Sequence, residues 1–203
     1  MNNKPFGAEL SEKSARPPIN RQKRKMSRWE AVFLFGSAVA ASFLTAIIQT
    51  CFFFNFRPFG FAPDLCLALT VACGVKFGSK IGGVIGLAAG FFLSAFSASG
   101  ISLAALLYTI IGITAGILAS PETASRFSPI SLFFLGTAGG AAINGLFGLV
   151  RICVIQSAAP VVSYIFKTMF PEMFCTLAFS PAVYLLAAAL AHNLRKRQGL
   201  SAK

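Results

Sequence analysis

Asp64, Glu172, Gln49, Asn55, Asn144, Arg151 and Gln156 are the polar residues that interrupt or border the long apolar stretches of this chain. Catalysis needs several such groups to converge, and this set is thin. No two carboxylates are paired inside an apolar run. HExxH, the nucleophile elbow and the Walker glycine loop are all missing from the sequence. Lys80 follows Ser79 and precedes Ile81, so the glycine-rich stretch around it is not a phosphate loop. Cys51, Cys66, Cys73, Cys153 and Cys175 are scattered through apolar runs without CxxC or Cys/His spacing. They read as small buried hydrophobes rather than as a metal site or a disulfide framework. His192 is the single histidine and stands before Arg195-Lys196-Arg197, a place that suits the decoration of a helix end. The expectation is a non-enzymatic chain with no cofactor and no metal.

Two polar residues invite closer reading. Asp64 follows Pro63 and opens the apolar run LCLALTVACGV. Proline at the first helical position with aspartate beside it is a helix start signal, and an anion there gains roughly 0.3–1 kcal/mol from the helix dipole. An ion pair to Arg57, or to a partner's extracellular domain, is the other use of Asp64. Asn144 is the one amide on a glycine-bearing apolar face, where a helix–helix hydrogen bond is worth about 0.6 kcal/mol. An ion or proton pathway needs acids or histidines at mid-depth in the membrane, and none is expected here.

The elements that must hold these residues follow from composition. The chain has 203 residues, 56% of them hydrophobic and 12% charged, with mean hydropathy +0.72. Apolar runs of about twenty residues recur, and no sustained alternation suggests a barrel. This is the pattern of an all-α integral membrane protein. Six spans are expected, at about 31–54, 61–75, 81–98, 101–119, 129–150 and 173–192. Residues 151–172 carry Arg151, Pro160, Lys167, Pro171 and Glu172, and read as an interfacial segment; Pro181 marks a kink in the last span.

The stretch GVKFGSKIGGVIGLAAG, 74–90, has a glycine at every fourth position. One helix over 63–98 would measure about 54 Å against a hydrocarbon core of about 30 Å, and would carry Lys76 and Lys80 into mid-membrane. The segment must fold back, with Gly74 and Gly78 in the turn and Gly82, Gly86 and Gly90 on the third span. Gly112 and Gly116 repeat the spacing on the fourth span and Gly136 and Gly140 on the fifth, which then carries Gly145 and Gly148. Such faces serve either internal packing or docking of another protein's helix.

Residues 1–28 are basic and aperiodic, a disordered tail. Arg21, Lys23, Arg24, Lys25 and Arg28 stand just before the first span, where basic residues bind anionic lipid headgroups at about 1 kcal/mol each. The net charge of +12 does not indicate nucleic acid, because most of it flanks apolar spans. With six spans and both termini in the cytoplasm, all of the 18 Lys and Arg residues except Arg57, Arg151 and Lys167 fall inside, as the positive-inside rule favours.

The stretch from 47 to 118, IIQTCFFF through ITAGIL, resembles the MreD family of rod shape-determining membrane proteins. The resemblance is carried by Gln49 near the end of the first span, Pro63-Asp64 opening the second, Gly82, Gly86 and Gly90-Phe91, then Gly100, Gly112 and Gly116. FSPAVYLLAAALAHNLRKR, around Pro181 and Tyr184, resembles that family's closing helix. Ser94 stands where the family often has an acid, and the basic N-terminal tail is longer than usual. The resemblance implies a six-helix bundle in the bacterial plasma membrane, similar in fold to the substrate-binding component of energy-coupling-factor transporters. It implies a non-enzymatic subunit of cell-wall elongation that binds an MreC-like protein and, through it, MreB filaments, a RodA-type polymerase and its transpeptidase. The alternative is a vitamin-binding transporter component. That role needs a pocket of convergent polar or aromatic groups; Trp29 is at the wrong end for one, and the spans supply almost no such groups.

Overall fold

With few polar side chains along its apolar runs, the backbone must satisfy its own hydrogen bonds, and a helix does this within a single segment. The computed structural model describes residues 28–53, 61–96, 103–120, 127–155 and 161–200, which are helical with short connections and contain no strand. Helix α1 is Arg28–Ile47 and continues through a wider π-helical turn, Ile48–Phe52. Then come α2 Leu65–Phe77, α3 Ser79–Phe96, α4 Ala104–Leu118 and α5 Pro129–Ile155. The last helix, α6 as a whole, runs Val161–Tyr164, a second π-helical turn Ile165–Met169, and Phe170–Leu200. Arg21, Lys23, Arg24 and Lys25 lie outside the described residues, as do Asn55, Arg57, Gly100, Arg126, Gln156 and Pro160; Arg28 opens α1.

Four segments are long and apolar enough to cross a membrane: Phe35–Phe52, Ser79–Phe96, Pro129–Val154 and Val161–Ala189. The other two helices, α2 and α4, are apolar but shorter, with 13 and 15 residues. At 1.5 Å per residue they measure about 20 and 22 Å. Short α2 is the centre of the bundle. Every residue from Leu65 to Gly74 is buried, under side chains of α1, α3, α4, α5 and α6.

Two parts of the chain depart from the sequence expectations. Residues 151–155 and 161–172 join the neighbouring helices instead of forming a separate segment: α5 runs on through Arg151 to Ile155, and the described part of α6 starts at Val161. Lys167, Pro171 and Glu172 are therefore helical, and the last helix starts about a dozen residues before 173. Pro171 stands two residues past the end of the wider turn. Having no N–H, it could not have closed an ordinary turn there. Pro181 does not break the helix either. Its missing N–H frees the carbonyl of Leu177, and the Ser180 hydroxyl donates to that carbonyl at 2.8 Å.

The α2–α3 reversal is made by Gly78 alone, at φ +93°, a backbone angle that side chains disfavour. Gly74 does not belong to the turn. It is buried within α2, where an added Cβ would lie 2.7 Å from the Gly112 carbonyl oxygen. The closest helix pair is α3 with α4. Gly82 would place a Cβ 2.5 Å from Gly112 O, Gly86 would strike the Tyr108 carbonyl, and Gly90 would come within 2.5 Å of Ala105 Cα. From the other side, Gly112 abuts the Gly82 carbonyl and Gly116 the backbone of Ser79. All of these neighbours are backbone, so no rotamer change could relieve them. Gly136 and Gly140 face side chains instead, Val71 at 2.9 Å and Ile111 at 3.1 Å, and seat α5 on α2 and α4.

Buried hydroxyls are satisfied locally. Ser42, Thr45, Thr70, Thr137 and Thr176 each donate to the carbonyl four residues earlier. Ser94, at the position where an acid is expected from the resemblance, does the same to Gly90.

Candidate functional site

Asp64 organises the interior. Its φ of −87° and ψ of 82° lie outside the helix, and its Oδ1 accepts from Leu67 N at 3.0 Å, so it is the N-cap of α2 with Pro63 one place before it. The helix start is read from Pro63-Asp64 two residues early, because Asp64 is the cap and Leu65, not Pro63, is the first helical residue.

Four elements converge on this cap. The π-helical turn of α1 carries Gln49, whose Nε2 reaches Asp64 Oδ1 at 3.5 Å and whose Oε1 accepts from Cys66 N at 3.0 Å. Tyr108 of α4 donates its hydroxyl to Asp64 Oδ2. Asn144 of α5 donates to the same oxygen at 3.1 Å. Thr176 of α6 accepts from Asp64 N at 3.0 Å and passes its own proton to the Glu172 carbonyl at 2.8 Å.

Asp64 is buried, as are Tyr108 and Thr176. Each carboxylate oxygen accepts two protein donors, which fills the roughly four acceptor positions of the group. Buried side-chain nitrogen and oxygen atoms without a partner are absent among the described residues. The irregular backbone at 61–64 is thus enclosed by protein and capped by side chains, the condition under which non-helical backbone is tolerated in an apolar medium.

The helix–helix bond expected of Asn144 exists, but its acceptor is Asp64 rather than another helix surface. An acid and its partners therefore occupy the bundle interior, at the N-terminal end of α2 where the sequence reading places Asp64. Glu172, placed at the interface by the sequence reading, is carried inward by the early start of α6.

Beside Asp64, between α5 and α6, lies a cavity of about 200 Å³. Asp64, Asn144, Thr176, Tyr164 and Glu172 line it with the thioethers of Met169 and Met173. Gly145 and Gly148 open the α5 wall: a Cβ at Gly145 would press on Met169 and one at Gly148 on the Tyr164 hydroxyl. The expectation that the helices supply almost no convergent polar groups is therefore corrected. The polar residues named from sequence leave out the hydroxyls of Tyr108, Tyr164 and Thr176. A usable signal was present: the chain has 22 Phe and only 3 Tyr, so each phenol in an apolar helix marks a hydroxyl with a partner or a wet neighbour. The third, Tyr184, carries Lys76 Nζ 4.5 Å from its ring centroid.

Lys76 and Lys80 are exposed and flank the Gly78 turn, at the opposite end of α2 from Asp64. Cys51 and Cys153 are exposed, whereas Cys66, Cys73 and Cys175 are buried, and none of the five is in a disulfide. Groups of three or more His, Cys, Asp or Glu side chains that could hold a metal are absent among the described residues. The chain matches no family model, and no curated protein or solved structure is significantly similar to it.

Proposed function

We propose that the protein is a non-enzymatic scaffold subunit of the cell-wall elongation machinery, of the MreD type, in the bacterial plasma membrane. The observation that carries this reading is the use made of the residues on which the resemblance rests. Gln49, Pro63 and Asp64 form one buried cap whose acceptor positions are all taken by the protein's own donors. Gly82, Gly86, Gly90, Gly112 and Gly116 form one backbone-to-backbone seam. These residues hold the bundle together, as suits a protein whose work is to present helices and loops to partners.

In this reading α2 and α4 also cross the bilayer, making six spans. Enclosed α2 needs no match to bilayer thickness, since protein and not lipid surrounds it. Both termini lie in the cytoplasm, with the basic tail, Arg28 included, at the anionic lipid surface. The glycine seam is consumed internally, so an MreC-like partner docks elsewhere, and MreB filaments, the RodA-type polymerase and its transpeptidase join through it. Depleting the protein makes rod-shaped cells round up, and an affinity tag on it recovers an MreC-like protein. Unchanged cell shape on depletion, with no such protein recovered, overturns the reading.

The polar cavity favours a second reading, the substrate-binding component of an energy-coupling-factor transporter. Its volume of about 200 Å³ is below the roughly 300–1,000 Å³ of sites for drug-sized ligands, which weighs against a vitamin. Retention of a vitamin through purification, or stoichiometric recovery with a transporter's transmembrane subunit, would decide for it.

A further inference from the structure

The cavity between α5 and α6 contains groups that the fold does not use. The Asp64 carboxylate is filled by protein donors, and Thr176 is engaged on both sides. The Glu172 carboxylate and the Tyr164 hydroxyl line the same cavity without a hydrogen-bond partner or ion pair among the described residues. Asn144 spends its Nδ2 on Asp64, which leaves its carbonyl oxygen for the cavity. The unspent groups are the Glu172 carboxylate, the Tyr164 hydroxyl, which can donate or accept, and the Asn144 carbonyl oxygen with its second N–H; no described lining side chain is basic. An anion would meet two carboxyl groups and no basic side chain to offset them. A bare divalent cation is also a poor match, because it takes about six or more oxygen ligands and Glu172 is the one uncommitted carboxylate.

The complement of a carboxylate flanked by two further oxygens that can accept is a compact cation with several N–H donors. A primary ammonium donates three hydrogen bonds and carries one charge. The thioethers of Met169 and Met173 supply an adaptable apolar wall for a short carbon stem. The volume of about 200 Å³ has room for a group of several heavy atoms. The two π-helical turns, Ile48–Phe52 and Ile165–Met169, both adjoin this region, carrying Gln49 to the cap and Met169 to the cavity wall. Such turns are frequent at functional sites.

We infer that this cavity is a binding site for a primary ammonium group, held by Glu172, Tyr164 and the Asn144 carbonyl. The group belongs either to a soluble small amine or to the headgroup of an aminophospholipid. The inference rests on the cavity alone and is independent of the scaffold reading, whose readout is partner recovery.

The full-length protein in detergent is heated with increasing ethanolamine, and in parallel with tetramethylammonium at matched ionic strength, which has the charge but no N–H. Saturable stabilisation by ethanolamine and none by tetramethylammonium is expected. Glu172→Gln should abolish the effect, and Tyr164→Phe, which removes one hydroxyl, should weaken apparent affinity about tenfold. Native mass spectrometry from nanodiscs of equal phosphatidylethanolamine and phosphatidylglycerol separates the sources. Phosphatidylethanolamine retained by the native chain and lost from Tyr164→Phe and Glu172→Gln assigns the lipid headgroup; an ethanolamine response without retained lipid assigns a soluble amine. Neither response from the folded native chain overturns the inference, as does an equal response to tetramethylammonium. Should Glu172→Gln not fold, undiminished binding by Tyr164→Phe would overturn it.

Discussion

Asp64 reaches each of its partners across a long sequence gap: 15 residues to Gln49, 44 to Tyr108, 80 to Asn144 and 112 to Thr176. A buried carboxylate with four donors stabilises only as a complete set, since each orphaned partner costs about 1–3 kcal/mol. Asp64→Ala strands Tyr108, Asn144 and Leu67 N together, and should lower stability by about 3 kcal/mol or more. Tyr108→Phe removes one donor and should cost about 1–3 kcal/mol. Thermal unfolding of both variants in one detergent checks the order, and equal losses would show that Asp64 is not the hub. None of these pairings is legible in sequence. What was legible was Pro63-Asp64 as a helix start, because capping is a local interaction over three residues.

Between helices, the deciding question is whether a glycine faces backbone or side chain. At Gly86 the obstacle is the Tyr108 carbonyl, which cannot move without shifting α4; at Gly83 it is Ile113 Cγ1 at 2.8 Å, which can rotate. Gly86→Leu should therefore cost well over the about 1–3 kcal/mol typical of overpacking, and Gly83→Leu distinctly less. Expression level and melting temperature compare them; equal values would deny the seam. Gly78→Ala tests the turn. It fills open space but forces a side chain into a φ of +93°, so about 1–2 kcal/mol should be lost through strain alone. The four-residue glycine spacing is visible in sequence, and so is the need to fold back near Gly78. The role of Gly74 was not, because a glycine in a packed helix and one in a turn look identical until the reversal is located.

Taken together, the helices put Gln49 and Asp64 near one end of α2 and Lys76, Lys80 and Gly78 at the other. This separation of acid from base along the bundle matches the topology proposed above, with the lysine end facing the cytoplasm. Single cysteines at residues 10 and 200, in a background free of the native five, should both resist a membrane-impermeant label in whole cells and react after permeabilisation. Labelling of one end and not the other would remove the even number of crossings.

Membrane residence and helical class follow from composition and from runs of about twenty apolar residues, properties that need no knowledge of neighbours. The glycine periodicity and the Pro63-Asp64 start are equally local. Tertiary structure alone decided that short α2 lies at the centre, that α6 begins at Val161 and carries Glu172 inward, and that Tyr164 and Asn144 face one cavity with it. The reason is physical. Local patterns report which surface of a helix is apolar, whereas the partner of a buried polar group is chosen by packing between segments up to 112 residues apart.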